Sequence, residues 1–277
     1  MSENQEPNSS SKEKSSESFR EMTHKFTLPI ELLNNLAPKH RIYGLVEVDV
    51  TKARAFISEH EERTGERMSF TAWVIKCVGQ AVSEHIEVQA LRKGKKKLII
   101  FNDVDVGMIV EKQTKIGKIP TQYCVHKANE KSFKQIHDEI RQAQKVDLGD
   151  SVVTGKRKSS ADSKLRRLPG PLRRLFWRKF RSDPFLRKKM MGTVGVTAVG
   201  MFGKGGGYAI PVGLHPAVFA LGGISKKLRS PLNPSDIGEF LNLTIMFDEE
   251  ISYGAPATRF VARLLELMES GFGLAEN

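Results

Sequence analysis

Apolar and polar positions alternate over Tyr43 to Val50, Tyr-Gly-Leu-Val-Glu-Val-Asp-Val, and this period of two predicts a first strand. Thr51 follows as a candidate cap for a helix over Lys52 to Thr64. Ser69 takes the same place before Phe70-Thr71-Ala72-Trp73-Val74-Ile75-Lys76-Cys77-Val78, where apolar residues on all sides predict a buried helix. Lys97 to Phe101 and Val104 to Glu111 read as strands joined by a turn at Asn102-Asp103, and Ile119 to Val125 as another. Ser132 to Lys145 is amphipathic, with Phe133, Ile136 and Ile140 on one face. Gly192 to Phe202, Ala217 to Ile224 and Leu241 to Phe247 predict later strands, and Ala257 to Met268 a closing helix. Strands and helices alternate irregularly with hairpin-like connections, so the expected class is α/β with a mixed sheet.

Two regions break the pattern. Residues 1–22, rich in Ser, Glu, Asn and Lys, are expected to form a disordered leader, leaving 23–277 as one domain. A basic insertion at about 150–190 interrupts that domain. Between Lys156 and Lys189, fourteen Lys or Arg face only Asp162 and Asp183, a net of +12, which is the charge of the whole chain. The remainder is neutral, which argues against reading the protein as nucleic-acid binding from its charge. Within the insertion Leu172, Leu175, Phe176 and Phe180 fall at helical spacing among Arg173, Arg174, Arg178, Lys179 and Arg181, with Pro171 to start a helix and Pro184 to end it. Such a basic amphipathic helix suits an anionic membrane surface or a clamp on an anionic ligand such as the phosphates of coenzyme A; a solvated loop is the plainer alternative.

An apolar content of 39% and a charged content of 27% belong to a soluble chain. The longest apolar stretch, Tyr208 to Ile224, is interrupted by Pro211, His215 and Pro216, too often for a membrane-spanning helix. The start, Met1-Ser2-Glu3-Asn4-Gln5, has no signal-peptide character, so the expected location is the cytoplasm, with peripheral membrane attachment open. Cys77 and Cys124 lie far apart, outside any ligand spacing, and read as buried thiols; no metal is expected. His40 and His215 read as surface or packing residues, and Gly205-Gly206-Gly207 as a hairpin turn rather than a phosphate cradle, because no helix follows.

The segment with most content is Asp248-Glu249-Glu250-Ile251-Ser252-Tyr253-Gly254-Ala255-Pro256-Ala257-Thr258-Arg259-Phe260, between a strand and a helix. It resembles D-H-x-x-x-D-G-A-x-x-A-x-x-F, the active-site segment of the acyltransferase cores of 2-oxo acid dehydrogenase complexes and of chloramphenicol acetyltransferase. Gly192-Thr193-Val194-Gly195-Val196-Thr197-Ala198-Val199-Gly200-Met201-Phe202-Gly203 is similar to that family's G-T-F-T-I-S-N-L-G-M-F-G. Glu47 to Arg54, Ser69 to Ala81 and Phe101 to Val110 resemble its first strand, buried helix and central hairpin, so the likeness runs from about 40 to 272 outside the insertion.

The resemblance implies a two-layer CoA-dependent acyltransferase fold, coenzyme A or acyl-CoA as substrate, and a homotrimer with its site in a channel between subunits. There a His takes a proton from a thiol or hydroxyl that attacks the acyl thioester, and a Ser or Thr of the facing subunit stabilises the oxyanion. Thr197 stands at that hydroxyl, whereas Glu249 replaces the His and Tyr253 the Asp that orders it. Imidazole, with a pKa near 6.5, accepts a proton at neutral pH, while a carboxylate near 4.3 is a weak base toward a thiol near 8.5. A degenerate or altered member is therefore expected. The alternatives are an active transferase using Glu249 as base and a membrane-peripheral interaction module. A paralogue bearing the His could also share a mixed trimer. With no lipoyl attachment site and only a short leader, the chain is expected to be a stand-alone core.

Overall fold

The computed structural model describes residues 37, 39–94, 96–114, 117–145, 169–200 and 206–275. The expected leader and residues 146–168 of the insertion lie outside them. The elements run β1 Arg41–Asp49, α1 Thr51–Thr64, α2 Phe70–Glu84, β2 Leu91–Lys93, β3 Lys97–Ile99, β4 Val106–Thr114, β5 Gly117–Val125 and α3 Phe133–Lys145. Then follow α4 Gly170–Ser182, α5 Pro184–Met191, β6 Val194–Ala198, β7 Ala217–Leu228, β8 Ile237–Asp248 and α6 Gly254–Ser270.

Six strands form one mixed sheet in the order β1-β8-β7-β6-β4-β5. β6 runs parallel to β4 and β7, and the other pairs are antiparallel. Alternation along the strands gives the sheet two distinct faces. One face carries Val48, Val106, Val194, Val196, Phe219, Leu221, Leu243, Ile245 and Phe247, which with Trp73, Phe133 and Phe260 build the main core. Helix α2 lies deepest in it, and Ser69 caps this helix as expected, its Oγ accepting from Ala72 N at 3.3 Å.

The opposite, outer face is finished differently. Residues 206–213 cross it without regular structure. Gly207 O accepts from Gly223 N at 3.0 Å, and the Asn242 amide, turned to accept from Gly207 N at 2.7 Å, donates to Glu47 at 3.1 Å. Around this strap Leu45, Ile109, Ile210 and Val212 each keep between 48% and 58% of their surface in contact with water. Helices α4 and α5 add a small second cluster, Trp177, Phe180 and Met191, packed with Leu214.

Four expectations change. Asn102-Asp103 makes no hairpin: β3 pairs with β2 in a separate ribbon, and the true hairpin is β4–β5, because Val106 registers with Val125. Thr51 is the first helical residue, not the cap; Asp49 Oδ1 accepts from Thr51 N at 2.9 Å, and Thr51 Oγ1 is drawn to Glu239 N at 2.8 Å. Pro184 begins a second helix as well as following the first, since Asp183 Oδ1 caps it through Phe185 N and Leu186 N. Of the expected Gly205-Gly206-Gly207 hairpin turn, Gly206 and Gly207 enter the strap instead, and Gly205 lies outside the described residues.

Candidate active site

Strand β8 delivers the acidic segment to one end of the sheet. Asp248 N donates to Pro216 O at 2.7 Å, and Ile251 N and Ser252 N both return to Asp248 O at 2.9 Å, so the chain turns before α6. Asp248 Oδ1 accepts from Glu250 N at 3.1 Å, while the Glu250 carboxylate meets Arg92 at 2.9 Å. Glu249 N donates to His40 O at 3.1 Å, and the Glu249 side chain points into solvent. Tyr253 is 65% exposed and gives the helix no side-chain cap. Burial raises the Asp248 carboxyl above its ordinary range and the neighbouring Glu250 adds to this, while Arg92 and Arg187 draw it back. Arg187 comes from α5 of the insertion and donates to Leu214 O at 3.0 Å. The insertion thus sets a cation beside the turn that holds the acidic segment.

Thr197 lies on the outer face of β6, half-buried, opposite Ala220 of β7, which is opposite Thr244 of β8. Glu249 lies five residues beyond Thr244, roughly 17 Å along the strand, and two strands to the side. One chain therefore does not bring Thr197 and Glu249 together. Thr244 is wholly buried and its hydroxyl has no hydrogen-bond partner among the described residues.

His215 is a packing residue, as its sequence context suggested. Its Nε2 donates to Met191 O at 3.0 Å, and its ring fills the space over Gly107 and Gly195. A Cβ on Gly195 would come within 2.8 Å of His215 Nδ1, and one on Gly107 within 2.3 Å of Met191 O, so both glycines are fixed by this contact. Burial lowers the His215 pKa to about 4, the Met191 carbonyl opposing it and Arg187 reinforcing it. The ring is neutral at pH 7.

One cluster escaped the sequence reading, which placed Cys124 outside any ligand spacing. Cys124-x-His126 puts two side chains on one face at the end of β5, and Asp105 joins them from the neighbouring strand's start. His126 Nδ1 lies 3.0 Å from Asp105 Oδ2 and 3.8 Å from Cys124 Sγ. Asp105 Oδ1 accepts from Lys127 N at 2.9 Å. Burial alone would raise Asp105; the His126 contact, the Lys127 amide and Lys188 outweigh it and hold the carboxyl low. The Cys-x-His spacing was the available signal. Arg92 and Arg187 carried none, since their partners are fixed by tertiary contacts.

Residues 31–149 match the family model of the 2-oxoacid dehydrogenases acyltransferase (catalytic domain). A search of curated proteins finds no match. Among solved structures, a probable dihydrolipoamide acetyltransferase from Listeria monocytogenes is 18% identical with a TM-score of 0.61, over 92% of this chain and 96% of that one. The cubic core of the pyruvate dehydrogenase multienzyme complex is 16% identical with a TM-score of 0.63, over 95% and 96%. A chloramphenicol acetyltransferase is 12% identical with a TM-score of 0.51, over 87% and 94%. At these identities the structures establish the CoA-dependent acyltransferase fold, and the match over 31–149 adds the family's sequence signature.

Proposed function

We propose that this chain, with the signature of 2-oxoacid dehydrogenase acyltransferase catalytic domains over residues 31–149 and their fold throughout, is a coenzyme A- or acyl-CoA-binding homotrimer with degenerate or altered transfer chemistry. The observation that carries the reading is the state of the acidic turn. Glu249 and Tyr253, at the positions of the family's base and its orienting Asp, both stand in solvent, and Glu250 is already paired with Arg92. A carboxylate in water lacks the burial that would make it a competent base toward a thiol. The separation of Thr197 from Glu249 within one chain supports the trimer, because only a second copy can place the hydroxyl opposite the turn. The apolar outer face, with Leu45, Ile210 and Val212 half exposed, supplies a surface for that copy.

The test pairs calorimetric CoA binding with steady-state acyl transfer from acetyl-CoA to dihydrolipoamide and other thiols. The expected result is CoA binding without turnover, with measurable turnover restored by Glu249→His combined with Tyr253→Asp. Turnover by the native chain that Glu249→Gln abolishes would overturn the degenerate reading in favour of a carboxylate base.

A second reading, a peripheral membrane element, is favoured by α4. Trp177 and Phe180 turn inward, so the expected apolar face divides: Phe180 is sealed, while Leu172 and Leu175 stay 50% and 60% exposed among the arginines. Phe185 of α5 adds a third exposed apolar group. Among the described residues no helix is long and apolar enough to cross a membrane, so attachment would be at the surface. Co-sedimentation with phosphatidylglycerol vesicles, lost in Leu172→Glu/Leu175→Glu and weakened by salt, is the expected result. Equal sedimentation of both proteins sinks this reading.

A further inference from the structure

The cluster at the open end of the β4–β5 hairpin has the geometry of a metal site. Cys124 lies opposite Gly107 on β4, on the outer face of the sheet, and alternation brings His126 to the same side. Asp105, two residues before Gly107, completes the set, and one ligand atom from each residue lies within 4.8 Å of the other two. Zinc bonds of about 2.3 Å to sulfur and 2.0–2.1 Å to nitrogen or oxygen give tetrahedral edges of roughly 3.3–3.6 Å. The observed edges of 3.8 Å from sulfur to nitrogen and 3.0 Å from nitrogen to oxygen bracket that range before any ligand has moved.

The chemistry of the set is selective. A thiol and an imidazole suit zinc and related transition ions, not magnesium or calcium, which prefer all-oxygen shells. The Asp105 carboxylate is already oriented, with Oδ1 held by the Lys127 amide and Oδ2 turned toward His126. This is the outer-shell hydrogen bonding that orients metal-ligating carboxylates. Half of the His126 side chain is exposed, which provides a route for the ion and a solvent position for a fourth ligand. The second grouping of this kind, Glu66, His137 and Asp138, is less apt, because His137 Nδ1 already accepts from Ser69 N and the two carboxylates are exposed.

Two ammonium groups oppose a cation here, Lys131 through its charge on Cys124 and Lys188 at closer range to the carboxylate. Lys188 Nζ lies 3.6 Å from Asp105 Oδ2, but it is also 3.3 Å from Asp103 Oδ2 and can keep that partner while leaving the site. We propose that Asp105, Cys124 and His126 bind one zinc ion or a zinc-like divalent transition metal through three protein ligands and an open fourth position. Binding replaces the Cys124 S–H bond with a sulfur–metal bond, the thiol proton leaving to solvent, and the Nδ1 proton that His126 shares with Asp105 Oδ2 is given up as Nε2 takes a proton from solvent, so that Nδ1 can coordinate. The ion then ties the start of β4 to the end of β5, in place of the lysine contact from the insertion helix α5.

Cobalt(II) titration of the chelator-treated full chain tests this, because a thiolate–cobalt bond gives a near-ultraviolet charge-transfer band that carboxylates and imidazoles alone do not. The expected result is one equivalent of cobalt with that band, displaced by zinc, in the native chain and in Cys77→Ser. Cys124→Ser loses the band. His126→Asn weakens binding, and because His126 is exposed this variant keeps the fold, checked by circular dichroism. Lys188→Met tightens binding by removing the competing ammonium. The proposal is overturned by the absence of a thiolate–cobalt band in the native chain, or by a band that persists undiminished in His126→Asn. Undiminished cobalt affinity in Asp105→Asn removes Asp105 from the ligand set and overturns the three-ligand site.

Discussion

On the helix-covered side of the sheet the chain supplies its own partners: Phe219, Leu243 and Ile245 meet Phe260 and Trp73 across a layer closed to water. On the other side the sheet presents Tyr43, Leu45, Ile109 and Thr197, with one irregular strap and two short helices as cover. The difference separates two kinds of work. The closed face provides folding free energy, while the outer face carries Thr197, the packed His215 and the Asp105–Cys124–His126 cluster. The candidate sites all lie on the outer face or at its rim, where the chain does not complete its own packing.

The sharpest way to break that contrast is to make matching truncations on both faces. Phe219→Ala opens a cavity where Phe260 and Trp73 cannot follow, and should cost about 3–5 kcal/mol. Leu45→Ala, on a half-exposed side chain, should cost under about 1 kcal/mol in dilute solution. Urea unfolding at low and high protein concentration measures both. A cost for Leu45→Ala equal to that of Phe219→Ala when dilute would mean that the outer face is core.

Acid should weaken the fold through its buried imidazoles, and His215 carries this effect on the outer face. His215 is held neutral, with its pKa about 4 against about 6.5 in an unfolded chain, so the unfolded state binds the proton more readily. Its contribution is present in full above about pH 6.5, declines as pH falls, and is gone below about 4. The limit is on the order of 3 kcal/mol, because each tenfold difference in proton affinity between the two states is worth about 1.36 kcal/mol. His137, also lowered chiefly by burial, acts with the same sign. Urea midpoints from pH 7 to 4.5 should fall in the native chain and fall less in His215→Asn.

How far each face could be read from the sequence follows the same division. Period-two alternation in β1 and the all-round apolar pattern of α2 are local signals of burial against the chain itself, and both elements formed where expected. The Asn102-Asp103 turn misled because turn chemistry marks a bend without naming the strand that pairs after it; the registry of Val106 with Val125 is a tertiary fact. The division of the α4 apolar face was hidden for a similar reason, since only the position of Met191 and Leu214 decides that Phe180 turns inward and Leu172 does not. Glu249 and Tyr253 were legible as substituted positions, but their exposure was not, because it depends on how β8 ends.

A charge on the exposed outer face sharpens the comparison without touching the core. Ile210→Glu lies on the strap, 56% exposed, and should alter monomer stability by no more than about 0.5 kcal/mol. If a second copy covers this face, burying an unpaired carboxylate in the contact is costly, and light scattering should show the assembly falling to a mass near 31 kDa. An unchanged oligomer would move the interface away from the strap.

The smallest effect is expected at the rim where the two faces meet. The Glu249 backbone is fixed by His40 O, the turn is closed by the Asp248 carbonyl and carboxylate, and Glu250 holds Arg92. None of these contacts uses the Glu249 side chain, which lies in water. Glu249→Gln should therefore shift stability by less than about 0.5 kcal/mol, the range of ordinary surface changes. Asp248→Ala, at the preceding residue, removes the acceptor for Glu250 N and the carboxylate facing Arg187, and should cost about 1 kcal/mol or more. Measuring the two side by side in urea separates a residue that shapes the turn from one that the turn merely presents. If Glu249→Gln proves as costly as Asp248→Ala, the Glu249 side chain is part of the turn's own structure, and its presentation to a facing subunit loses its basis.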